Sequence, residues 1–248
     1  MFPVLFRLGS FEVTSFGLMV GIGAVVGAWL FAREGEARGL GQAANLALVA
    51  LVAGMAGAKL LWVGEHFGEE PTLDLLTSRG GLSWFGGLVG GVAGGLAVVL
   101  YRRWPVVPLL ASAAPGVAAG QALGRIGCFL VGDDYGRPTD LPWGIAFPRG
   151  LPPTVVPVHP TQLYEAAFLA VLTWLLLRSG RHGVSDLALL GRYCLLAGGF
   201  RFLLEFVRVN VRVAAGLTVA QYASALLVLA GVALLVRSRR RPSPVPAS

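Results

Sequence analysis

A guanidinium at the end of a long uncharged run is costly, and Arg125 stands just past one. No charged residue occurs from Val106 to Leu123. Placing an arginine in or just below a lipid boundary costs roughly 2.5–3.5 kcal/mol on insertion scales unless a partner satisfies it. Such an arginine is a candidate functional residue, and other polar residues have the spacing to join it. Arg201, Glu205 and Arg208 follow an i, i+4, i+7 pattern that puts all three on one helical face. His159, Gln162 and Glu165 open another apolar block. Two arginines with only short-range acidic compensation, Glu205 pairing with one or holding it in place, point to an anionic ligand. A phosphodiester headgroup suits planar guanidinium forks, which donate two parallel hydrogen bonds. The competing reading is a closed ion-pair network of Arg125, Glu205 and Glu165 that holds helices together without a ligand.

Other candidates carry less. Asp133 and Asp134 are adjacent carboxylates, but two ligands are weak support for a cation. A hydrated turn between glycines is the simpler reading, with Asp133 orienting Arg125 or Arg137. No Cys/His spacing fits zinc, and there is no phosphate-cradling Gly-Lys-Ser/Thr loop. No metal and no cofactor are expected. Arg192 is read as snorkelling to the inner side, and Lys59 and Arg208 as reaching the outer headgroups. Cys128 and Cys194 both lie in apolar surroundings, so free buried thiols are expected rather than a disulfide.

These residues need elements to hold them. Of 248 residues, 55% are hydrophobic and 13% charged, about half the charge of ordinary soluble domains. The apolar residues gather in blocks long enough to span a bilayer. The fold class expected is therefore all-α: a polytopic integral membrane protein with about seven transmembrane helices and a periplasmic loop cap. The spans are read as about 14–32, 42–63, 81–101, 105–131, 160–177, 184–207 and 216–236, all within one transmembrane domain covering 1–248. The net charge of +7 does not imply a nucleic-acid partner, because 19 of the 20 basic residues are arginines scattered at block edges. The first apolar run continues into a charged loop without a small-residue cleavage site, so no cleavable signal peptide is expected.

Arginines set the orientation. Arg33, Arg38, Arg102, Arg103, Arg178, Arg181, Arg237, Arg239, Arg240 and Arg241 fall on one side if the blocks alternate. That side is cytoplasmic by the positive-inside rule, with the N-terminus outside and the basic tail 237–248 inside. The acidic loop Glu65 to Asp74 and the loop 132–157 then lie outside. The latter is rich in Pro and Gly, and reads as an ordered cap or a re-entrant segment. The Pro-Ser-Pro tail after Arg241 is expected to be disordered. Arg125 lies roughly 9 Å below the outer mouth, at 1.5 Å per residue. Arg201, Gln162, Glu165 and Glu205 come out at a similar depth. In the third block, Gly86, Gly90 and Gly94 form one small-residue row and Gly87, Gly91 and Gly95 another, which fits close helix packing. No internal repeat marks a two-half transporter.

The stretch Gly124-Arg125-Ile126-Gly127-Cys128-Phe129 through Asp133-Asp134-Tyr135-Gly136-Arg137-Pro138 resembles the signature of the prolipoprotein diacylglyceryl transferase family. Gly86-Gly87-Leu88 upstream, His159-Pro160-Thr161-Gln162-Leu163-Tyr164-Glu165 downstream, and Arg201 to Arg208 complete the set. The resemblance covers nearly the whole chain. It implies a bacterial inner-membrane enzyme without metal or nucleotide cofactor. Such an enzyme moves the diacylglyceryl group of phosphatidylglycerol to the lipobox cysteine thiol of a prolipoprotein signal peptide. This is the first step of lipoprotein maturation, and glycerol phosphate leaves. The partners implied are phosphatidylglycerol, the signal peptide and the lipid bilayer. Arg125 and Arg201 would hold the lipid phosphate, supported by Glu205, Gly136 and Asp133. Arg201, Glu205 and His159 are accordingly expected to serve catalysis, with His159 the first candidate base by intrinsic pKa and Glu165 and Glu205 behind it; a histidine at a helix start also reads as a cap or loop anchor. Arg125, Asp133, Gly136, Arg137, Gln162 and Glu165 are expected to bind substrate. The acceptor cysteine belongs to the substrate, so Cys128 is read as a packed small hydrophobe.

The chain departs from the family at four places. Phe85 stands where histidine or tyrosine often precedes Gly-Gly-Leu, Phe16 replaces a tyrosine, Ala111 an aspartate and Cys128 an asparagine. Position 133, commonly glutamate, is aspartate. Each of the four substitutions removes a hydrogen-bonding group. They keep open a catalytically silent member that binds lipid or signal peptides. A transporter or flippase using the same arginines is the more distant alternative.

Overall fold

The computed structural model describes residues 4–8, 11–68, 72–77 and 83–240. Arg241 with the Pro-Ser-Pro tail, residues 69–71 of the acidic loop, and 81–82 at the start of the third block lie outside the described residues. The helices are α1 (Ser15–Glu36), α2 (Ala43–Glu65), α3 (Thr72–Thr77), α4 (Trp84–Arg102), α5 (Val106–Val131), α6 (Thr161–Arg181), α7 (Asp186–Leu204) and α8 (Val219–Arg239). All but α3 are long and apolar enough to cross a membrane. The protein is a polytopic all-α membrane protein. α6 runs to Arg181 and α1 to Glu36, each four residues beyond the apolar blocks, because a helix continues past the hydrocarbon edge while its backbone bonds are satisfied internally. α7 ends at Leu204, and a 3-10 turn follows at Glu205–Val207.

The chain forms two compact units, Met1–Leu30 with Leu110–Ser248, and Phe31–Leu109. In the second unit, α2 and α4 pack through glycines. A Cβ on Gly54 would lie 3.1 Å from the Gly87 carbonyl, and one on Gly90 would lie 2.9 Å from the Gly57 Cα. The glycine rows of the third block are thus a helix-packing face, where bare backbones make dispersion contacts that larger side chains would prevent.

In the first unit, Ala111, Ala114, Ala118 and Ala122 form a stripe down α5. Their 3- and 4-residue spacing keeps them on one face. That face packs on Leu169, Leu172 and Leu176 of α6 and Leu189 of α7. α1 approaches α5 where a Cβ on Gly23 would stand 2.8 Å from the Gly120 carbonyl. Phe168 of α6 stacks on Phe200 of α7 at 3.9 Å. These contacts hold α5, α6 and α7 together beneath one polar end.

The segment between α5 and α6 is an ordered cap. Within it, β3 (Ile145–Phe147) pairs antiparallel with β4 (Thr154–Val158). Two other short antiparallel pairs, β1 (Val4–Leu8) with β2 (Phe11–Thr14) and β5 (Arg212–Ala214) with β6 (Leu217–Thr218), precede α1 and α8. Phe147, nearly fully buried, anchors the cap by stacking on Tyr135 and meeting Phe129 of α5 edge-on. Tyr135 donates its hydroxyl hydrogen to the Pro152 carbonyl at 2.6 Å.

Candidate functional site

Three arginines and three carboxylates meet at the capped end of α5, α6 and α7. Arg125, two turns before the end of α5, places Nε 2.9 Å from Glu165 in the first turns of α6. Its Nη1 lies 2.6 Å from Asp134 Oδ2. The other Asp134 oxygen is 2.9 Å from Arg208 Nη2. Arg208 Nε lies 3.8 Å from Glu205 Oε2, and Arg201 Nη1 lies 2.8 Å from the same oxygen. Arg201 also feels the charges of Glu165 and Arg125, so the arginines of α5 and α7 share one electrostatic environment. The contacts of Arg201 with Glu205 and of Arg125 with Glu165 are close but lack hydrogen-bond alignment at Arg201 Nη1 and Glu165 Oε2.

Glu205 is the most enclosed member, with a side chain 0% exposed. Its Oε1 accepts hydrogen bonds from Asn210 Nδ2 at 2.6 Å and Thr218 Oγ1 at 2.9 Å. Thr218 also caps α8 in a reciprocal box with Gln221, which fixes its hydroxyl beside the carboxylate. A buried carboxylate needs such partners because isolated charge in low dielectric is strongly disfavoured.

The turn after α5 decides which aspartate faces in. Gly132 leaves the helix at φ +82° and Asp134 sits at φ +58°, in the left-handed region that Asp tolerates better than most residues. Asp134, rather than Asp133, therefore reaches Arg125. The Asp133 carboxyl lies against the Cys128 thiol, and its Oδ1 is buried without a hydrogen-bond partner. Burial pushes the Asp133 carboxyl above the usual carboxylate range, and Asp134 adds to this. Burial also acts on Asp134, yet the Arg208 and Arg125 guanidiniums outweigh it and hold that carboxyl below the usual range. Cys128 Sγ and both aspartate carboxylates lie within 4.8 Å of one another, a spacing a metal ion can use, but both Asp134 oxygens already face arginines.

Gly136 lets the cap close on this cluster. A Cβ there would stand 2.5 Å from the Val207 carbonyl and 2.9 Å from His159 Cβ. The bare backbone instead pairs with Arg208, while Arg137 N donates to the Val207 carbonyl at 2.8 Å. The Arg137 side chain is exposed, so its backbone makes these bonds. Gln162 is fully buried and donates through Nε2 to the Asp133 carbonyl, leaving Oε1 without a partner.

The sequence model of the prolipoprotein diacylglyceryl transferase family matches residues 3–237. The chain belongs to this family. It is 31% identical over 243 residues to the phosphatidylglycerol–prolipoprotein diacylglyceryl transferase of Clostridium tetani, covering 94% of this chain and 96% of that relative. The Pseudomonas putida F1 enzyme of the same name is 33% identical over 264 residues, covering 99% and 97%. That of Geobacter sulfurreducens is 34% identical over 215 residues, covering 83% and 82%.

Of the residues expected from the sequence, Arg125, Arg201, Glu205 and Glu165 come together, with Gln162 and Gly136 packed around them. His159 belongs to a different set of contacts. Trp143 Nε1 donates to the Tyr164 hydroxyl at 2.8 Å, and that hydroxyl lies 3.3 Å from His159 Nδ1. The hydroxyl accepts from the indole and can still share a hydrogen with Nδ1 in either direction. With Gly136 N donating to the His159 carbonyl at 2.9 Å, the residue anchors the cap.

Arg208 shares a face with Arg201 and Glu205, as its spacing predicts, but it is buried rather than among headgroups because the 3-10 turn and the pairing with Gly136 draw it inward. Asp134 as the partner of Arg125 had no signal in the sequence, since the hand of the turn chooses between neighbouring carboxylates. The acidic compensation is short-range, as expected, and extends to a third carboxylate: the three guanidiniums are matched by Glu165, Glu205 and Asp134. The linkage differs from a closed Arg125–Glu205–Glu165 network, because Asp134 joins the α5 arginine to Arg208.

Proposed function

We propose that this chain transfers the diacylglyceryl group of phosphatidylglycerol to the lipobox cysteine of a prolipoprotein signal peptide, at the outer face of the bacterial cytoplasmic membrane. The loop cap would lie outside, as would the N-terminus, and the arginine-rich tail inside. The observation that carries the reading is the convergence of Arg125, Arg201 and Arg208 at one helix end. Membership of the family supports the chemistry.

In this reading Arg125 and Arg208 hold the lipid phosphodiester, and Arg201 supports the bond-breaking end of the phosphate. The substrate sulfur attacks the glyceryl carbon that bears the phosphoester. A sulfur–carbon bond forms, the carbon–oxygen bond breaks, and its electron pair goes to phosphate. The phosphate gains negative charge as glycerol phosphate leaves, and guanidiniums in a low-dielectric site stabilise that change. A thiol with a pKa of about 8.5 must lose its proton first. Asp133 takes it: it is the carboxylate without an arginine partner in the network, and its buried Oδ1 has unused acceptor capacity. His159 anchors the cap, and Glu165 and Glu205 hold the arginines. Unpartnered Gln162 Oε1 offers a further acceptor for the glycerol hydroxyls.

The test is thioether formation on a lipobox peptide by the full chain in phosphatidylglycerol nanodiscs, read by mass spectrometry. Product is expected from the wild type, and its loss in Arg125→Ala and Arg201→Ala proteins that insert normally. Normal rates in both variants overturn the assignment. No product from the wild type overturns the activity.

A further inference from the structure

The cluster contains an anion of its own. The Asp134 carboxylate bridges two guanidiniums, with 2.6 Å to Arg125 Nη1 and 2.9 Å to Arg208 Nη2. Each arginine has a second, better buried partner: Glu165 at 2.9 Å for Arg125 and Glu205 at 3.8 Å for Arg208. The Asp134 side chain is 45% exposed, against 11% for Glu165 and 0% for Glu205. Its backbone is tethered independently of its carboxylate. The Asp134 carbonyl accepts from Thr161 Oγ1 at 2.8 Å and from Arg208 Nη1 at 3.2 Å, and Gly136 N donates to the His159 carbonyl at 2.9 Å. A side-chain rotation can withdraw the carboxylate while the turn stays in place.

Charge points the same way. The guanidiniums of Arg125, Arg201 and Arg208 face three carboxylates, Glu165, Glu205 and Asp134, and the Asp133 carboxyl stands beside Asp134. A phosphodiester adds one negative charge. If every carboxylate stayed, the site would gain an excess anion in a low-dielectric environment, which is costly. If the most exposed carboxylate leaves, one anion replaces another and a planar guanidinium pair is vacated for the phosphate.

We propose that the Asp134 carboxylate is an internal occupant of the headgroup seat, bridging Arg125 and Arg208 in the resting protein and displaced by the incoming lipid phosphodiester. This rests on the lipid-substrate reading above. After transfer the phosphate is a monoester with more negative charge than the diester it replaced. Return of Asp134 to the guanidiniums then competes with the product and speeds its departure. Asp134 thus sets affinity on entry and release on exit.

The test is equilibrium binding of a fluorescent phosphatidylglycerol to the full chain in nonionic detergent. Wild type, Asp134→Asn, Asp134→Ala and Asp134→Glu are compared, with fluorescent diacylglycerol as the phosphate-free control. The Asn and Ala variants are expected to bind the phospholipid about three- to tenfold more tightly, the scale of a partly exposed charge pair. Asp134→Glu is expected to stay within about twofold of wild type, as its charge is retained. Diacylglycerol binding is expected not to change. In the transfer assay the Asn variant has a lower KM for phosphatidylglycerol and stronger inhibition by added glycerol phosphate. Equal or weaker phospholipid binding by both neutral variants overturns the proposal, because Asp134 is then an organiser of the arginines rather than a competitor. Tighter binding without thioether formation by the wild type leaves this proposal standing and removes the transferase reading. Thioether formation with no binding gain does the reverse, and absence of phospholipid binding in all four proteins overturns both.

Discussion

Replacing Glu205 with glutamine changes almost no volume and should still damage the site severely. Glu205 Oε1 accepts from Asn210 and Thr218, and Oε2 faces Arg201 and Arg208. Glutamine has one acceptor end. If its oxygen keeps the Asn210 and Thr218 bonds, its NH2 points at two guanidiniums. If it turns, its NH2 meets Asn210 Nδ2 and Thr218 Oγ1, so the Asn210 amide must flip and the Thr218 hydroxyl must rotate to accept, which sets that hydroxyl against its place in the α8 cap. In either orientation the arginine pair loses an enclosed counter-charge. Breaking a buried pair by neutralising one partner costs about 3–5 kcal/mol. For a chain of this length that is a fall of about 6–20 °C in unfolding midpoint, at 2–4 °C per kcal/mol. The two cysteines are both free and buried, so a fluorogenic thiol reagent reports unfolding of the detergent-solubilised protein directly. The variant should also lose phosphatidylglycerol turnover at temperatures where it stays folded, since Arg201 and Arg208 are no longer held. An unfolding midpoint within about 2 °C of wild type would refute the reasoning, because Glu205 would then be a spectator among charges already satisfied elsewhere.

Two further outcomes follow from the cap. Gly136→Ala places a methyl group against the Val207 carbonyl and His159 Cβ; turnover should fall at least about tenfold as Arg208 loses its backbone tether, measured in the nanodisc assay against a folded control. Asp133→Asn should lower kcat with little change in KM for phosphatidylglycerol. In wild type, activity should fall as pH drops through the raised Asp133 pKa, because the base is then protonated. The variant should keep a low residual rate without that acid limb, and an unchanged pH profile in the variant would remove Asp133 from proton transfer.

How much of this was readable in advance depended on which physical rule governed each residue. Long apolar blocks announce membrane helices because an unsatisfied backbone is forbidden in lipid, so the architecture was legible from hydropathy. Arg125 and Arg201 stood out because charge is rare there. Helical periodicity paired Arg201 with Glu205. It also put Arg208 on that face but not its burial, which is set where the α-helix gives way to a 3-10 turn and the residue is claimed by a backbone bridge to Gly136, 72 positions earlier. It failed between Asp133 and Asp134, where positive φ at Gly132 and Asp134 sets the choice. Thr218 and Asn210 were invisible as partners of Glu205 because they lie beyond the end of the helix that carries it. Local periodicity sees a helix face, while the site is completed by segments that fold back over its end.

The substitutions that raised the idea of a silent family member take on different weights once placed. Ala111 is fully buried in the alanine stripe of α5, packed with the leucines of α6, 14 residues before Arg125. At about 1.5 Å per residue that is roughly 21 Å along the helix, so its change alters the packing at the opposite end. Phe85 is exposed at the start of α4 in the other compact unit. Phe16 lies against Gly127, near the polar end of α5, but its ring is exposed. Only Cys128 enters the charge cluster, lying 4.0 Å from Arg125 Nη1 and against the Asp133 carboxyl. A thiol there is a weak acceptor where an amide would be a strong one. Arg125 is nonetheless held by Glu165 at Nε and by Asp134 at Nη1, the nitrogen that Cys128 also faces, so the cation remains positioned without help from residue 128. The departures therefore leave the three guanidiniums and their carboxylates intact, and a member that kept this costly set while abandoning anion chemistry would be retaining charge in a membrane for packing that alanine and leucine already supply.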